Sequence, residues 1–358
     1  MSIRSRTRGL VLGYCLGDAL ARAPEPDSGP LLAGTPSLVF LAGVEGLVRG
    51  LVREDLTGRS EIPECTWHAT ARWAWRTRMR DLPGVRRWHE AAMPQPWPDG
   101  WLNEVAPLAI GRGSAPAVEE ALALDRLDPR PGCSPGDSAG DMVLSRTLPV
   151  ALLAASRPWD ADLGAQISAT ARDVAAYSHG LPAQVLAVAL TRTAARTLAE
   201  GQTLPLVDLP ELSATYAGVP RGDEVISARV ALRGLADQLA PQLPATDLAR
   251  AGLASGPRTA LRAVAEGLRC VLTHPGRHEA SKALREALET GQPGAAAVTG
   301  ALVGAAHGAE LLPVDAISRL DLAHVADQLA TDLLSQVQEH PALDERRAPA
   351  WRHRYPAW

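Results

Sequence analysis

Apolar residues recur along this chain at the three- and four-residue spacing of a helix, and apolar/polar alternation nowhere persists long enough to specify a strand. Leu38, Leu41, Ala42, Leu47, Val48 and Leu51 form one stripe, the pattern of a helix that buries one face. The same period predicts helices near 64–80, 115–126, 141–155, 161–177, 183–200, 223–240, 257–273, 278–289, 295–308 and 321–338. Their starts are marked by Ser114 ahead of Pro116, by Asp223-Glu224 in a first turn and by Pro257. Composition points the same way: one Phe (Phe40) and four Tyr stand against abundant Ala and Leu, which favours helix-on-helix packing over sheets. Pro- and Gly-rich loops fall at 93–100, 128–136 and 204–222, and none reads as a linker between domains. The expected fold class is therefore all-α: a single-domain orthogonal bundle of about a dozen helices. It would span 1–340, followed by a mobile tail, 341–358, that is charged and Pro-punctuated. Trp351, Tyr355 and Trp358 offer that tail a means of docking.

Charge and cysteine usage remove several classes of function. The basic residues are almost all Arg, Lys282 being the single Lys, a bias read as that of a GC-rich, bacterial genome. A net charge of −4 argues against a nucleic-acid partner or an anionic membrane surface. Cys15, Cys65, Cys133 and Cys270 have no C-x-x-C spacing, so four reduced thiols in a cytoplasmic protein are expected. Arg4, Arg6 and Arg8 precede an apolar stretch, Leu10 to Leu16, that Gly17-Asp18 interrupts too early for a signal peptide. The apolar run Ala295 to Ala306 is far short of the roughly 20 residues a membrane span needs.

Three stretches carry candidate chemistry. Gly13 and Gly17 lie four apart and share a helix face, where glycine costs about 1 kcal/mol each relative to Ala. Close approach of another helix is the benefit that would offset it, and Asp18 then sits beside that face. In Gly140-Asp141-Met142-Val143-Leu144-Ser145-Arg146, a glycine lets bare N–H groups approach a phosphate or ribose oxygen. Asp141 adds an acceptor-only group that would repel a diphosphate. Arg146 is either a ligand contact or one half of an ion pair at the edge of the core. Ser178-His179-Gly180 joins two helices, where a lone His serves more often for capping or packing than for catalysis.

With these stretches in place, the chain resembles the ADP-ribosylglycohydrolase family, the dinitrogenase reductase-activating glycohydrolase-like enzymes that cleave ADP-ribose from proteins or small molecules. The resemblance runs from Gly9 to about Leu334. Gly17-Asp18-Ala19-Leu20 matches the family's opening motif, with Glu25 where its mobile acidic residue falls. Gly140, Arg146 and Pro149 match a segment whose backbone lies against ADP-ribose in the family, and Ser178-His179 sits at a family turn. The resemblance implies two magnesium ions held by a Thr-Asp-Asp-Thr cluster and an Asp-x-Asp-Thr cluster, each ahead of an apolar helix. Both helices remain here, but the first cluster reads Thr35-Pro36-Ser37-Leu38 and the second falls on Gly291-Gln292-Pro293-Gly294. Magnesium needs hard oxygen ligands, mostly carboxylates, so no metal cofactor is expected.

The ligand-binding set implied is Gly17, Asp18, Thr35, Ser37, Gly140, Asp141, Arg146, Ser178 and His179. Asp18, Glu25 and Asp141 are the remaining candidates for acid–base catalysis. Three functions stay open: a pseudoenzyme that binds an ADP-ribose or nucleoside-like ligand, a metal-independent glycosidic hydrolase, and a structural or partner-binding bundle. The corresponding partners are an ADP-ribose-like small molecule, an ADP-ribosylated protein, or another protein.

Overall fold

The computed structural model describes residues 1–23, 25, 27–124, 136–204, 206, 215–216 and 259–357. The helix expected at 223–240, most of the loops at 128–136 and 204–222, Cys133 and Trp358 lie outside the described residues. Among the described residues there are helices and no strands; the only pairings of extended backbone are two isolated bridges, Leu31 with Leu320 and Gly140 with Thr259.

Proline and glycine set the helix limits. In chain order the helices are α1 (Ile3–Leu20), α2 (Thr35–Thr57), α3 (Ile62–Arg76), α4 (Pro83–Ala92), α5 (Pro116–Leu122), α6 (Met142–Thr147), α7 (Ala161–Ala176) and α8 (Leu181–Glu200). They continue as α9 (Ala260–Thr273), α10 (Ala280–Glu289), α11 (Pro293–His307), α12 (Val314–Arg319), α13 (Ala323–Glu339) and α14 (Ala348–Arg354). Pro36, Pro63, Pro116, Pro182 and Pro293 stand in first turns, where a missing N–H costs no intrahelical bond. Gly58 and Gly201 end α2 and α8 in the left-handed conformation. The single helix expected over 141–155 is instead α6 followed by a 3-10 segment, Leu148–Ala155. Pro149 has no N–H to give the preceding turn, and the chain tightens there. α4, α12 and α14 are short elements that the apolar period did not predict.

The centre of the bundle is the antiparallel seam of α1 and α11. A Cβ on Gly13 would lie 2.0 Å from the Gly300 carbonyl oxygen, and one on Gly300 would lie 2.0 Å from that of Gly13. Gly9 faces Gly304, and Gly17 faces Ala296, in the same way. The backbones touch, so these glycines repay their helical cost in close packing, as the four-residue spacing implied. α9 and α10 pack on the other side of α11, α13 against α1 and α2, and α3 against α2. One apolar core draws on all the long helices.

Only α2 among the described residues is long and apolar enough to cross a membrane, and it is a buried core helix here. It also carries Glu45 and Arg49, both buried. Glu45 accepts from Arg49 Nε and, at 3.1 Å, from Arg72 Nη2. Arg49 donates onward to the Asp99 side chain and backbone, both at 2.9 Å, and to the Pro356 carbonyl at 3.3 Å. Burial alone would raise the Glu45 carboxyl, but Arg49 and Arg72 outweigh it and hold it below the ordinary value.

The closing segment, expected as a mobile tail, is packed against the bundle through this cluster and its own aromatics. Tyr355 is fully buried and its hydroxyl donates to Asp332, which also pairs with Arg354 at 2.7 Å. Trp351 Nε1 donates to Gln336 at 2.7 Å, and the Arg354 guanidinium lies 4.1 Å from the Trp101 ring centroid. Charge and proline suggested mobility, and partners distant in sequence override it.

Candidate functional site

The first turns of α2 and α11 open on one cleft of about 270 Å³, bounded also by α1 and the start of α6. Its lining includes Tyr14, Asp18, Arg22, Pro36, Ser114, Ser138, Gly140, Asp141, Ser145, His179, Pro293 and Gly294. The two helix starts that the resemblance paired are therefore on the same opening.

α1 builds its side of the cleft by period. Tyr14, Asp18 and Arg22 follow at intervals of four, on the face next to the glycine seam. Asp18 is almost wholly buried. Its Oδ2 accepts from Gly34 N at 2.7 Å, Ser37 Oγ at 2.6 Å and Ser37 N at 3.3 Å, and its Oδ1 from Arg22 Nε at 2.8 Å. Gly34, the residue before α2, has no cap of its own. The carboxylate of α1 thus caps α2, satisfying orphan N–H groups and meeting the positive end of the helix. Arg22 lies directly over Gly34, where a Cβ would fall 2.1 Å from its Nε. The chain entering α2 is further pinned by Asp321, which accepts from Ala33 N at 3.1 Å and pairs with Arg112. Arg112 in turn donates to the Ala33 carbonyl at 2.8 Å.

The opposite lip also carries a carboxylate close to a helix start. Asp141 lies against Gly294 in the first turn of α11, and a Cβ there would fall 2.5 Å from Asp141 Oδ2. Gly294 is what lets a carboxylate from α6's entry sit over this second helix start. Tyr14 and Ser145 join hydroxyls at 2.8 Å across the floor. Burial, with Asp18 and Asp141 nearby, pushes the Tyr14 phenol well above its ordinary value, so it stays protonated.

His179 closes the back wall. It is fully buried, and its Nε2 has no hydrogen-bond partner among the described residues. Ser178 Oγ accepts from Arg146 Nη1 and lies 2.8 Å from His179 Nδ1. With the serine hydrogen directed at Nδ1, the ring proton falls on Nε2, leaving a donor on the cleft wall. Burial, reinforced by the Arg146 charge, lowers the imidazole to about 3, so it is neutral at ordinary pH. Among the described residues Arg146 forms no carboxylate pair of the kind the sequence left open. Its guanidinium lies 4.8 Å from the Trp67 ring centroid and 5.8 Å from that of Tyr177, and burial lowers it to about 9.

Of the residues expected at the site, Asp18, Gly140, Asp141 and His179 line the cleft together. Gly17 is used in the helix seam, Ser37 binds Asp18, and Ser178 and Arg146 stand behind His179. Thr35 is buried with its hydroxyl unpartnered among the described residues, and it is not part of the lining. Glu25 is exposed, accepts from Ser28 Oγ at 2.9 Å and is also outside the lining. Tyr14, Arg22, Ser138 and Ser145 were missed. The i, i+4 pairing of Asp18 with Arg22 was the available signal for the second of these.

The sequence model of ADP-ribosylglycohydrolase matches residues 1–342. The chain belongs to the ADP-ribosylglycohydrolase family. No curated protein matches it by sequence. Among solved structures, one titled "ADP-ribosylglycohydrolase-related protein complex" superposes with a TM-score of 0.50 at 20% identity, covering 94% of this chain and 99% of that one. At that identity the likeness concerns the fold.

The donor set does not fit the magnesium pair that the family resemblance implies. Pro36 offers no side-chain oxygen, and Ser37's hydroxyl is held by Asp18. Gly291 is exposed with open space around it, and Pro293 offers only an apolar ring. Asp18 already accepts four hydrogen bonds, one of them from a guanidinium. Among the described residues, no three His, Cys, Asp or Glu side chains meet in a way that could hold a metal ion.

Proposed function

We propose that this family member binds an ADP-ribose or nucleoside-like ligand in the cleft and performs little or no metal-dependent hydrolysis. The observation that carries this reading is that the positions expected to hold metal ligands carry no carboxylate, and that Asp18 is used instead to cap α2. The cleft is kept open between the two helix starts, while Asp18 and Arg22 occupy one of them and Asp141 covers the other. Magnesium would demand near-octahedral oxygen coordination, usually through carboxylates; here the start of α2 is capped by Asp18, Asp141 lies beside Gly294 at the start of α11, and a proline stands in each first turn. Asp18 is poorly suited to act as a general base, because both its oxygens already accept hydrogen bonds, from Arg22, Gly34 and Ser37. His179 supplies a fixed donor, and the hydroxyls of Tyr14 and Ser145 supply adaptable ones.

Calorimetric titration of the full chain with ADP-ribose and with adenosine, each with and without Mg²⁺, tests the reading. Binding of at least one ligand, unchanged by the metal, is the expected result. ADP-ribosylated arginine or serine peptides should show no turnover that Mg²⁺ or Mn²⁺ stimulates. Robust metal-stimulated hydrolysis, or failure of both ligands to bind, would overturn it.

A further inference from the structure

We infer that Arg146 and Ser178 are positioning residues, which hold the His179 ring with its proton on Nε2 so that the cleft reads a hydrogen-bond acceptor on its ligand. This rests on the reading that the cleft binds a ligand, and it deepens that reading.

Stability gives Arg146 little reason to be where it is. The side chain is almost wholly buried, and among the described residues it has no carboxylate partner. Its Nη1 donates to Ser178 Oγ, while its Nε and Nη2 have no partner among the described residues. The rings of Trp67 and Tyr177 offset its charge only in part. A buried guanidinium left in this state is costly. Arg49 and Arg72, by contrast, both pair with Glu45. What Arg146 supplies here is a fixed donor to the serine beside His179.

The direction of each proton follows. A guanidinium can only donate, so Ser178 Oγ must accept from it. The serine hydrogen is left for another acceptor, and His179 Nδ1, 2.8 Å away, is the one within reach among the described residues. The opposite tautomer would leave that buried hydrogen without an acceptor. The guanidinium also stands on the Nδ1 side of the ring, and a positive charge favours the tautomer whose lone pair faces it. Nε2 therefore carries the proton at the cleft wall, 3.9 Å from where a Cβ on Gly140 would stand. It meets no acceptor among the described residues. Burial, with the Arg146 charge behind it, keeps the ring neutral. A ribose hydroxyl, a carbonyl or an unprotonated ring nitrogen would satisfy such a donor, and an ammonium group would not.

NMR of the full chain labelled with ¹⁵N-histidine reads the tautomer directly, without ligand. At pH 7 the His179 ring, assigned by its absence in His179→Gln, should favour the Nε2-protonated form by at least about 10 to 1. Ser178→Ala and Arg146→Met should each let the two tautomers mix. Arg146→Lys, which restores a donor to the serine, should return the proton to Nε2. Adenosine or ADP-ribose at saturation should shift the Nε2 resonance. Protonation at Nδ1 or an even mixture in the unmodified protein would overturn the inference, as would a tautomer that neither Ser178→Ala nor Arg146→Met moves. A ligand that binds and leaves the Nε2 resonance in place would overturn it too, with the proposed function still standing. Binding of neither ligand would overturn the proposed function, and the reading of an acceptor with it, while the spectrum without ligand still decides the roles of Arg146 and Ser178. That spectrum needs no variant in either positioning residue, so a substitution that prevents folding leaves the test in force.

Discussion

The two ionic clusters of α2 contrast in almost every respect. At its first turn, Asp18 and Arg22 meet at the edge of a cleft, with the arginine side chain 30% exposed. Two to three turns further on, Glu45 and Arg49 join Arg72 and Asp99 inside the fold, covered by the Pro356 end of the chain. The inner cluster pairs Glu45 and Asp99 with Arg49 and Arg72, and the cavity beside it is only about 10 Å³. Gly100, at φ 80°, lies so close to Arg49 that a Cβ would sit 2.2 Å from its Nη2. The outer cluster neutralises a helix end and leaves one side of the arginine in reach of solvent. Comparison of the two shows that burial of ion pairs in this protein does not by itself mark function: the deeper network is structural, and the shallower one borders the site.

The largest effect should come from breaking the inner cluster. Glu45→Gln leaves Arg49 and Arg72 facing each other without their shared carboxylate, and removal of one member of a buried pair typically costs about 3–5 kcal/mol. Urea unfolding should show that loss; a change below about 1 kcal/mol would mean the cluster is solvated in solution. Ligand affinity of the folded fraction should be unchanged.

The acid limb of stability comes next. His179 is lowered to about 3 and His68 lies well below its ordinary value, in both cases first through burial. Unfolded histidines titrate near 6.5, so the unfolded chain binds more protons below that pH. Stability from these groups is complete above about pH 6.5 and is lost as pH falls toward the folded values. His179 should contribute a slope of about 1.4 kcal/mol per pH unit between pH 6 and 4, and His68 a loss in the same direction. His179→Gln should remove one such share in a pH series of urea midpoints; an unchanged slope would show that His179 is charged or exposed in solution.

Asp18→Asn should cost about 1–2 kcal/mol, since the amide oxygen can still cap α2 but loses the charge that holds Arg22. That is well below the Glu45 effect, and a reversal of the order would break the contrast between the clusters. The smallest stability change belongs to Arg22→Met, expected under about 1 kcal/mol because the pair is partly solvent-screened. Its effect should appear in binding instead: with Asp18 no longer neutralised, ADP-ribose affinity should drop while that of adenosine changes little. Equal changes for both ligands would place Arg22 outside the electrostatics of the cleft.

Much of this architecture was legible in the sequence because helical burial is a local, periodic property. The four-residue glycine spacing in α1 correctly implied a close helix neighbour, and the apolar stripe of α2 gave its core face. Gly140, Asp141 and His179 were found because motif and turn chemistry are local as well. What escaped depends on partners remote in the chain. Arg146 read as a ligand contact or an ion-pair residue, and its stack with Trp67 and Tyr177 is one that only the folded chain assembles. Asp321 has no local signal for its role at the α2 entry. The closing segment reads as solvated until Tyr355 finds Asp332.

The α1–α11 seam also bears on how the molecule comes into being. α1 leaves the ribosome long before α11, yet the surface that its glycines require lies on that later helix. Until α11 emerges, the glycine face of α1 has nothing to shield it, and glycine gives a lone helix little reason to persist. Translation therefore produces a segment that must wait for one made much later, a long-range closure of the kind that slows folding and invites chaperone attention. Because Asp18 and Gly294 sit on those same two helices, a nascent chain has no cleft to offer a ligand, and binding can report only on chains from which α11 has already emerged.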